Sequence, residues 1–172
     1  MKTFRTSLAV GSVLAAALLC FPAFAAAQAT VLQAPEAQKL LPDTVYFDAK
    51  SASTQLRNSG GVHFSDGSYT LAVLVDTSGY STAVQQKYQG YLLTGTALDF
   101  GGHRLPAGAY GFGFVGGQFL VMDIGAHDLF RAPAAHDAEL PHPMPLKILA
   151  GNSSSEWKLC SGRDCVTFRR TQ

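Results

Sequence analysis

Histidine next to aspartate is the pattern in this 172-residue chain that is best suited to chemistry. Two of the five histidines begin His-Asp pairs, at His127-Asp128 and His136-Asp137, and His142 follows them. Imidazole and carboxylate groups are ligands of zinc and iron, and a neighbouring carboxylate can orient a ligating ring. The residue types therefore define a candidate metal site of His127, His136 and His142, and with it the hypothesis of a metal-dependent enzyme.

The spacing of these residues matches no strong metal-ligand signature. Adjacent residues of a strand also point to opposite faces, so His127 and Asp128 could not both face one ion if that segment is extended. The chain also contains no G-x-S-x-G elbow, no phosphate-binding loop and no H-E-x-x-H motif. These observations favour a protein that is not an enzyme. We accordingly predict no cofactor.

A second candidate site lies on the predicted strand from residue 109 to residue 115. Strand alternation places Tyr110, Phe112 and Phe114 on one face and leaves Gly111 and Gly113 on the other. Glycines inside a strand mark places where a backbone, an aromatic ring or a ligand approaches closely, or where a barrel turns a corner. The aromatic row is therefore either part of the core or one wall of a groove for an apolar or planar ligand.

Two tyrosines that precede this strand extend the candidate ligand site. Tyr88 and Tyr91 are predicted to line it together with Tyr110, Phe112 and Phe114. The ligand classes that fit such a surface are a small apolar molecule, a glycan and a protein partner.

The first 29 residues have the layout of a secretory signal peptide. Lys2 and Arg5 precede an apolar run from Leu8 to Phe21, which is followed by small residues repeated as A-x-A. The run is short for a membrane span of about 20 residues. We expect cleavage to leave residues 30–172 as one exported domain, periplasmic or extracellular, with no stable membrane span.

The charge balance of the expected mature chain argues against nucleic-acid binding. Loss of two of the 13 basic residues leaves 11 against 12 acidic ones, so the net charge is near −1. Nucleic-acid binders concentrate Lys and Arg on one face. The densest basic group here is only Arg163, Arg169 and Arg170, which is typical of a solvated chain end.

Cys160 and Cys165 are the two cysteines that remain after the leader, and they enclose Ser161-Gly162-Arg163-Asp164. Apolar residues alternate on both sides of this loop, as they do in the two strands of a hairpin. In an oxidising compartment the two thiols are expected to form a disulfide across a four-residue loop. A redox-active pair is the alternative, but that chemistry uses C-x-x-C at a helix N-terminus.

The rest of the chain has the pattern of an all-β protein, with turn residues every eight to twelve positions. We predict a single antiparallel β-sandwich or small β-barrel with one or two short helices, at Ala34–Leu41 and Thr82–Tyr88. Residues 65–68 and Gly116-Gly117 are predicted tight turns. The ten predicted strands are Thr44–Ala49, Gly61–Phe64, Tyr69–Asp76, Gly90–Leu98, Ala109–Val115, Gln118–Ile124, His127–Arg131, Leu146–Ala150, Glu156–Cys160 and Cys165–Arg169.

The turn Gly101-Gly102-His103-Arg104-Leu105-Pro106-Ala107-Gly108-Ala109-Tyr110 resembles the G-x-x-L-P-A-G-x-Y turn of several exported bacterial β-domains. The wider stretch from Gln86 to Asp123 is similar to an uncharacterised family of small exported bacterial proteins. This resemblance implies an all-β fold and export. No catalytic residue is implied by it.

The sequence as a whole predicts an exported β-domain that acts as a non-catalytic binding or structural module. Its partner is expected to be a small molecule or a protein. A metal-dependent enzyme that uses the 127–142 segment is one alternative. A small outer-membrane β-barrel is another, because such barrels have similar length and strands rich in Gly and aromatic residues.

Overall fold

Alternating apolar residues and glycine-rich turns produce two antiparallel sheets that pack face to face. The computed structural model describes residues 28–140 and 142–171. Within these residues neither sheet closes into a barrel, so the all-β prediction is confirmed in its sandwich form. The predicted signal peptide lies outside the described residues except for positions 28 and 29.

Eight strands of the described chain form the large sheet, in the order β1-β3-β4-β5-β8-β9-β10 with β2 paired to β3. Every pair is antiparallel. The strands are β1 (Thr30–Leu32), β2 (Thr44–Phe47), β3 (Lys50–His63), β4 (Tyr69–Val75), β5 (Gly90–Thr94), β8 (Gly108–Val115), β9 (Gln118–Met122) and β10 (Asp128–Pro133).

The small sheet contains the other six strands of the described chain, in the order β12-β13-β14-β6-β7 with β11 paired to β14. The chain crosses between the sheets after β5, after β7 and after β10. The strands are β6 (Leu98–Phe100), β7 (His103–Leu105), β11 (Ala135–His136), β12 (Met144–Ala150), β13 (Glu156–Gly162) and β14 (Asp164–Arg170).

Both predicted tight turns are present. In the first, Gly67 has φ +85° and the Asp66 carboxylate accepts a hydrogen bond from the Ser68 N–H over 3.0 Å. In the second, Gly116 and Gly117 have φ of +59° and +75°, the conformation of a two-residue type I′ hairpin loop. These turns set the registers of β3 with β4 and of β8 with β9.

The predicted strand Gly90–Leu98 is wrong in its second half, because the chain changes sheets there. β5 ends at Thr94, whose hydroxyl accepts from the Thr96 N–H over 3.3 Å, while the Gly95 N–H donates to the Tyr69 carbonyl over 2.8 Å. These two bonds close a bend. The chain then continues at Leu98 as β6 of the small sheet.

The prediction of Gly61–Phe64 captured only the end of a much longer strand. β3 runs from Lys50 to His63, with an irregular register between Gln55 and Ser59. Its first half is polar and pairs with β2, and its second half is buried in the large sheet. The pairing with β2 and β4, rather than local β-propensity, makes this segment a strand.

Both helices begin at the predicted residues but end earlier. α1 is Ala34–Ala37 and α2 is Thr82–Gln85. Beyond each of them the chain turns so that Leu41 and Tyr88 pack into the protein. No helix among the described residues is long and apolar enough to cross a membrane.

The large sheet buries apolar side chains on both of its faces. On one face the central core fills the space between the two sheets. On the other face the outer core is covered by α1, β2 and the segment from Tyr80 to Tyr88. The central core contains Val62, Phe64, Ala72, Leu92, Leu98, Phe100, Leu105, Phe112, Phe119, Val121, Ala132, Leu146, Ile148, Trp157, Leu159, Val166 and Phe168. The outer core contains Ala37, Leu41, Val45, Phe47, Ala52, Leu71, Val73, Val75, Tyr80, Val84, Tyr88, Tyr91, Leu120 and Met122.

The predicted disulfide between Cys160 and Cys165 is present, and the two cysteines lie directly opposite each other, with Cα atoms 4.1 Å apart. The loop is tighter than predicted. Ser161 pairs with Asp164, so only two residues form the turn, the first of which is Gly162 with φ +63°.

Candidate binding site

The aromatic row of β8 faces the central core. Phe112 is fully buried there, and Tyr110 and Phe114 pack against the same cluster. The Phe112 ring also lies across Gly90 of the neighbouring strand, where a Cβ atom would collide with it. Of the two interpretations of this row, the structure favours core packing.

The face of β8 that carries Gly111 and Gly113 is covered by other parts of the chain. A Cβ on Gly111 would collide with the Phe47 ring, and one on Gly113 with the carbonyl oxygen of Lys87. The Phe47 ring in turn stacks on Tyr88 with centroids 3.8 Å apart. The glycines therefore admit an aromatic ring and a backbone segment, and no groove remains over them.

The structure does not bring the five predicted ligand-binding residues together. Tyr88 and Tyr91 belong to the outer core, on the face of the large sheet opposite to Tyr110, Phe112 and Phe114. The sheet therefore separates the two groups, and they cannot line one groove. Alternation along β8 identified its two faces, but the face that Tyr88 and Tyr91 occupy depends on tertiary packing.

Tyr88 is buried without a polar partner. Its side chain is fully buried, and within the described residues its hydroxyl oxygen has no hydrogen bond. Burial, with a smaller contribution from Tyr80 and Tyr91, raises the pKa of the Tyr88 hydroxyl well above its ordinary value. Tyr80 differs, because its hydroxyl donates to the Phe47 carbonyl over 3.1 Å.

Replacing Tyr88 by phenylalanine is expected to raise the free energy of unfolding by about 1 kcal/mol, because the change removes a buried hydroxyl that lacks a partner. The pKa of Tyr88 is higher in the folded protein than in the unfolded chain. The contribution of Tyr88 to the free energy of unfolding is therefore fully present below the tyrosine pKa of the unfolded chain and is lost as the pH rises above that value. The variant should lose less stability than wild type between about pH 7 and about pH 11, measured by urea denaturation.

Tyr80→Phe is the matched control, since it removes a hydroxyl that does make a hydrogen bond. It is expected to lower the free energy of unfolding by about 1 kcal/mol. Equal effects of the two substitutions would contradict the assignment of Tyr88 as the hydroxyl without a partner.

The structure does not gather the three predicted metal ligands into one site. His127 Nδ1 is 3.0 Å from the Asp123 carboxylate, and His136 Nδ1 is 3.0 Å from the Asp164 carboxylate. His142 is exposed in the connection from β11 to β12. Among the described residues no three His, Cys, Asp or Glu side chains form a group that could hold a metal ion.

The Asp123–His127 pair instead stabilises the turn between β9 and β10. The pKa of the Asp123 carboxyl is lowered, first by the hydrogen bond from the His127 backbone N–H and then by the bond with the His127 ring. The same carboxylate accepts from the Gly125 N–H over 2.9 Å, and Ala126 adopts φ +66°. This aspartate therefore closes a tight turn.

The cover of the outer core stops short of one end of the large sheet and leaves an apolar recess of about 490 Å³. We call it the outer recess. Leu71 pairs with Leu93 across β4 and β5, and Gly95, just beyond β5, contributes no side chain beside them. The recess is lined by Ser68, Tyr69, Leu71, Leu93, Thr94, Gly95 and Gly108.

Two rings stacked on each other form one rim of the outer recess. His63 and Tyr69 pair across β3 and β4, and their rings are nearly parallel, at 7°, with centroids 4.3 Å apart. Both side chains are half-buried. The stack holds the flat face of Tyr69 in a fixed position beside Leu71.

Two of the hydroxyl-bearing residues beside the outer recess, Ser68 and Thr94, bond within the protein. Thr94 shares a 2.9 Å hydrogen bond with Thr70 and donates to the Thr96 carbonyl over 2.7 Å. The Ser68 hydroxyl donates to Asp66 over 2.7 Å. The lining is therefore mainly apolar, with the Tyr69 hydroxyl as a polar group at its rim. Sequence analysis missed the outer recess because its lining residues come from three separate segments.

Comparison of the chain with protein-family models, with curated proteins and with solved structures finds no match. The resemblance of the Gly101–Tyr110 turn to exported bacterial β-domains stays a prediction. In the structure this segment contains β7 and the start of β8, joined by a turn in which the Tyr110 hydroxyl donates to the Pro106 carbonyl over 3.0 Å.

Proposed function

We propose that this protein is an exported, non-catalytic binding domain whose ligand site is the outer recess. The observation that carries the proposal is an open apolar recess of about 490 Å³ at the uncovered end of the outer core. Sites for small molecules have volumes of about 300 to 1,000 Å³ and mostly apolar walls. The outer recess is shallow and open to solvent, and it matches such sites in volume and in the apolar character of its walls.

The ligand class that fits the outer recess is a small, planar, apolar molecule. The stacked Tyr69 ring offers a flat aromatic surface, and Leu71 and Leu93 offer aliphatic contact beside it. A glycan needs several hydrogen-bond partners for its hydroxyl groups, whereas Ser68 and Thr94 already bond within the protein, which leaves the Tyr69 hydroxyl among the lining side chains. These contacts favour an apolar ligand over a glycan.

Two features of the chain support export. Residues 1–29 carry the signal-peptide pattern. The Cys160–Cys165 disulfide is a bond that persists in the periplasm and outside the cell, whereas cytosolic thiols are kept reduced. The proposed localisation is therefore periplasmic or extracellular.

The test is the binding of Nile red, a neutral planar dye, followed by its fluorescence. Wild-type protein is expected to bind one equivalent with saturation. Leu93→Gln replaces an aliphatic side chain of the wall by a polar one and removes apolar contact worth about 1.5 kcal/mol of binding free energy. It should therefore weaken dye binding by about tenfold or more. Circular dichroism melting checks that the variant is folded.

Leu129→Gln is the matched control, since Leu129 is 48% exposed on β10 and lies outside the outer recess. It should leave dye binding unchanged. If both variants weaken binding equally, or if neither does, the outer recess is not the site.

A further inference from the structure

One edge of β14 is shared by two separate short strands. β11 pairs with the start of β14 through Ala135 and Cys165, and β6 pairs with its end through Asp99 and Arg169. Thr167 lies midway between the two paired residues of β14. It is exposed, while its neighbours on both sides are buried.

The backbone groups of Thr167 point to the edge that β11 and β6 share. On this edge the Asp137 N–H donates to the Arg163 carbonyl over 2.8 Å. At the other end the Thr171 N–H donates to the Ala97 carbonyl over 3.0 Å. Backbone polar groups alternate between the two edges of a strand, so every odd-numbered residue of β14, including Thr167, directs its N–H and C=O to this side.

Neither neighbouring strand reaches Thr167. Continued registers would place Pro133 of β10 and Gly101 of the β6–β7 turn opposite it. Proline has no N–H to donate. Gly101 and Gly102 have φ of +62° and +96°, so the chain turns away there. In the described part of the chain, pairing on this edge stops two residues short of Thr167 on both sides, and we call this opening the strand gap.

Clefts open on both sides of the strand gap, and Thr167 lines each of them. One, of about 380 Å³, contains the ion pair of Lys158 and Asp137, with Nζ 3.5 Å from Oδ2. Another, of about 370 Å³, contains the ion pair of Arg169 and Glu156, with Nη2 2.9 Å from Oε1. The strand gap is therefore open to a ligand and flanked by space for groups on either side of it.

We propose that the strand gap binds one residue of a short extended peptide, a site separate from the outer recess. Thr167 presents one N–H and one C=O on either side of a single Cα atom. The complementary ligand carries a C=O and an N–H with the same spacing, which is the backbone of one residue of an extended peptide. The two form a doubly hydrogen-bonded antiparallel pair.

The length of the strand gap limits the peptide. Four residue steps separate Cys165 from Arg169, which is about 13 Å at about 3.3 Å per residue. Continued registers place Ala134 opposite Val166 and Phe100, the last residue of β6, opposite Phe168, so only the peptide residue that pairs with Thr167 lies within the plane of the sheet. Longer partners must rise out of the sheet at both ends, through the flanking clefts.

The test uses an N-acetylated, C-amidated tri-alanine peptide, which carries no charge and isolates the backbone pairing. In ¹⁵N-labelled protein, the Thr167 amide signal is expected to shift and saturate at millimolar peptide, while the amide signals of the outer recess stay in place. The same peptide with an N-methylated central residue lacks the required N–H and should shift the Thr167 amide at least about tenfold less.

Proline substitutions test the direction of the backbone groups. Thr167→Pro removes the N–H that faces the strand gap and leaves the hydrogen bonds of β14 to β13 in place, and the side chain that it replaces is exposed. The variant should therefore melt close to wild type and lose tri-alanine binding. Val166→Pro removes an N–H that bonds to β13 and should unfold the small sheet. A Thr167 amide that does not shift with the peptide, that shifts equally with the N-methylated peptide, or that is protected from exchange in the free protein would overturn the proposal.

Discussion

Replacing Phe112 by alanine is expected to lower the free energy of unfolding by about 3 to 5 kcal/mol, the range for deleting a buried aromatic ring. Phe112 is fully buried in the central core, 5.6 Å between ring centroids from Phe119. Its ring also covers the backbone of Gly90 in β5, so the substitution opens a cavity beside that residue. Urea denaturation measures the loss, and Nile red binding by the folded fraction should be retained.

Tyr46→Ala is the control for this prediction, because Tyr46 is an aromatic strand residue that is 56% exposed. Its substitution should change stability by no more than about 0.5 kcal/mol. A Phe112→Ala variant that keeps the stability of the Tyr46→Ala variant and loses dye binding instead would mean that the aromatic row of β8 forms a ligand groove and not the core.

Replacing Gly113 by alanine is expected to destabilise the protein by about 1 to 3 kcal/mol, the usual cost of forcing an extra methyl group into a packed site. The new Cβ would collide with the Lys87 carbonyl oxygen, which belongs to the backbone and cannot move without its segment. The side chain of Gln89 holds this segment against β8, since its oxygen accepts a hydrogen bond from the Phe114 N–H over 3.0 Å. The strain should therefore displace the Tyr80–Tyr88 cover from the outer core.

Gly79→Ala provides the matched control, because nothing lies within 4 Å of a Cβ at that turn. The two substitutions add the same methyl group, and the Gly79 variant should unfold within about 0.5 kcal/mol of wild type. Equal stability of the two variants would show that the Lys87 carbonyl does not confine Gly113. Denaturation curves of both proteins under the same conditions decide the point.

Strand alternation and turn chemistry were enough to predict the fold class and most of the strands. The strands around Phe112, Trp157 and Val166 have apolar residues at every second position, which the structure places in the central core. The Gly116-Gly117 turn and the Cys160–Cys165 hairpin depend on residues adjacent in sequence. Such features can be predicted from the sequence because strand periodicity, and turns that need glycine with positive φ, depend on only a few consecutive residues.

The candidate sites were much less predictable. Alternation showed that Gly111 and Gly113 face away from the aromatic row, but it could not show that Phe47 and Lys87 fill the space over them. The grouping of Tyr88 with Phe112 failed because the large sheet stands between them. Both outcomes depend on the path of the chain over the outer face of the large sheet, and no periodic pattern in the sequence predicts that path.

An all-β chain with a disulfide-closed hairpin can be predicted from the sequence alone, because these features arise from periodicity, turn residues and two nearby cysteines. Packing in three dimensions was needed to show that the strands form a sandwich, that the polar segment from Lys50 to Gly60 is a strand, and that the outer recess stays open. The strand gap at Thr167 also depends on the packing of distant segments. It exists because Pro133 and Gly101, 32 residues apart in the sequence, arrive at one edge of β14 and neither can pair there. Contacts between residues so far apart are set by packing and not by local pattern.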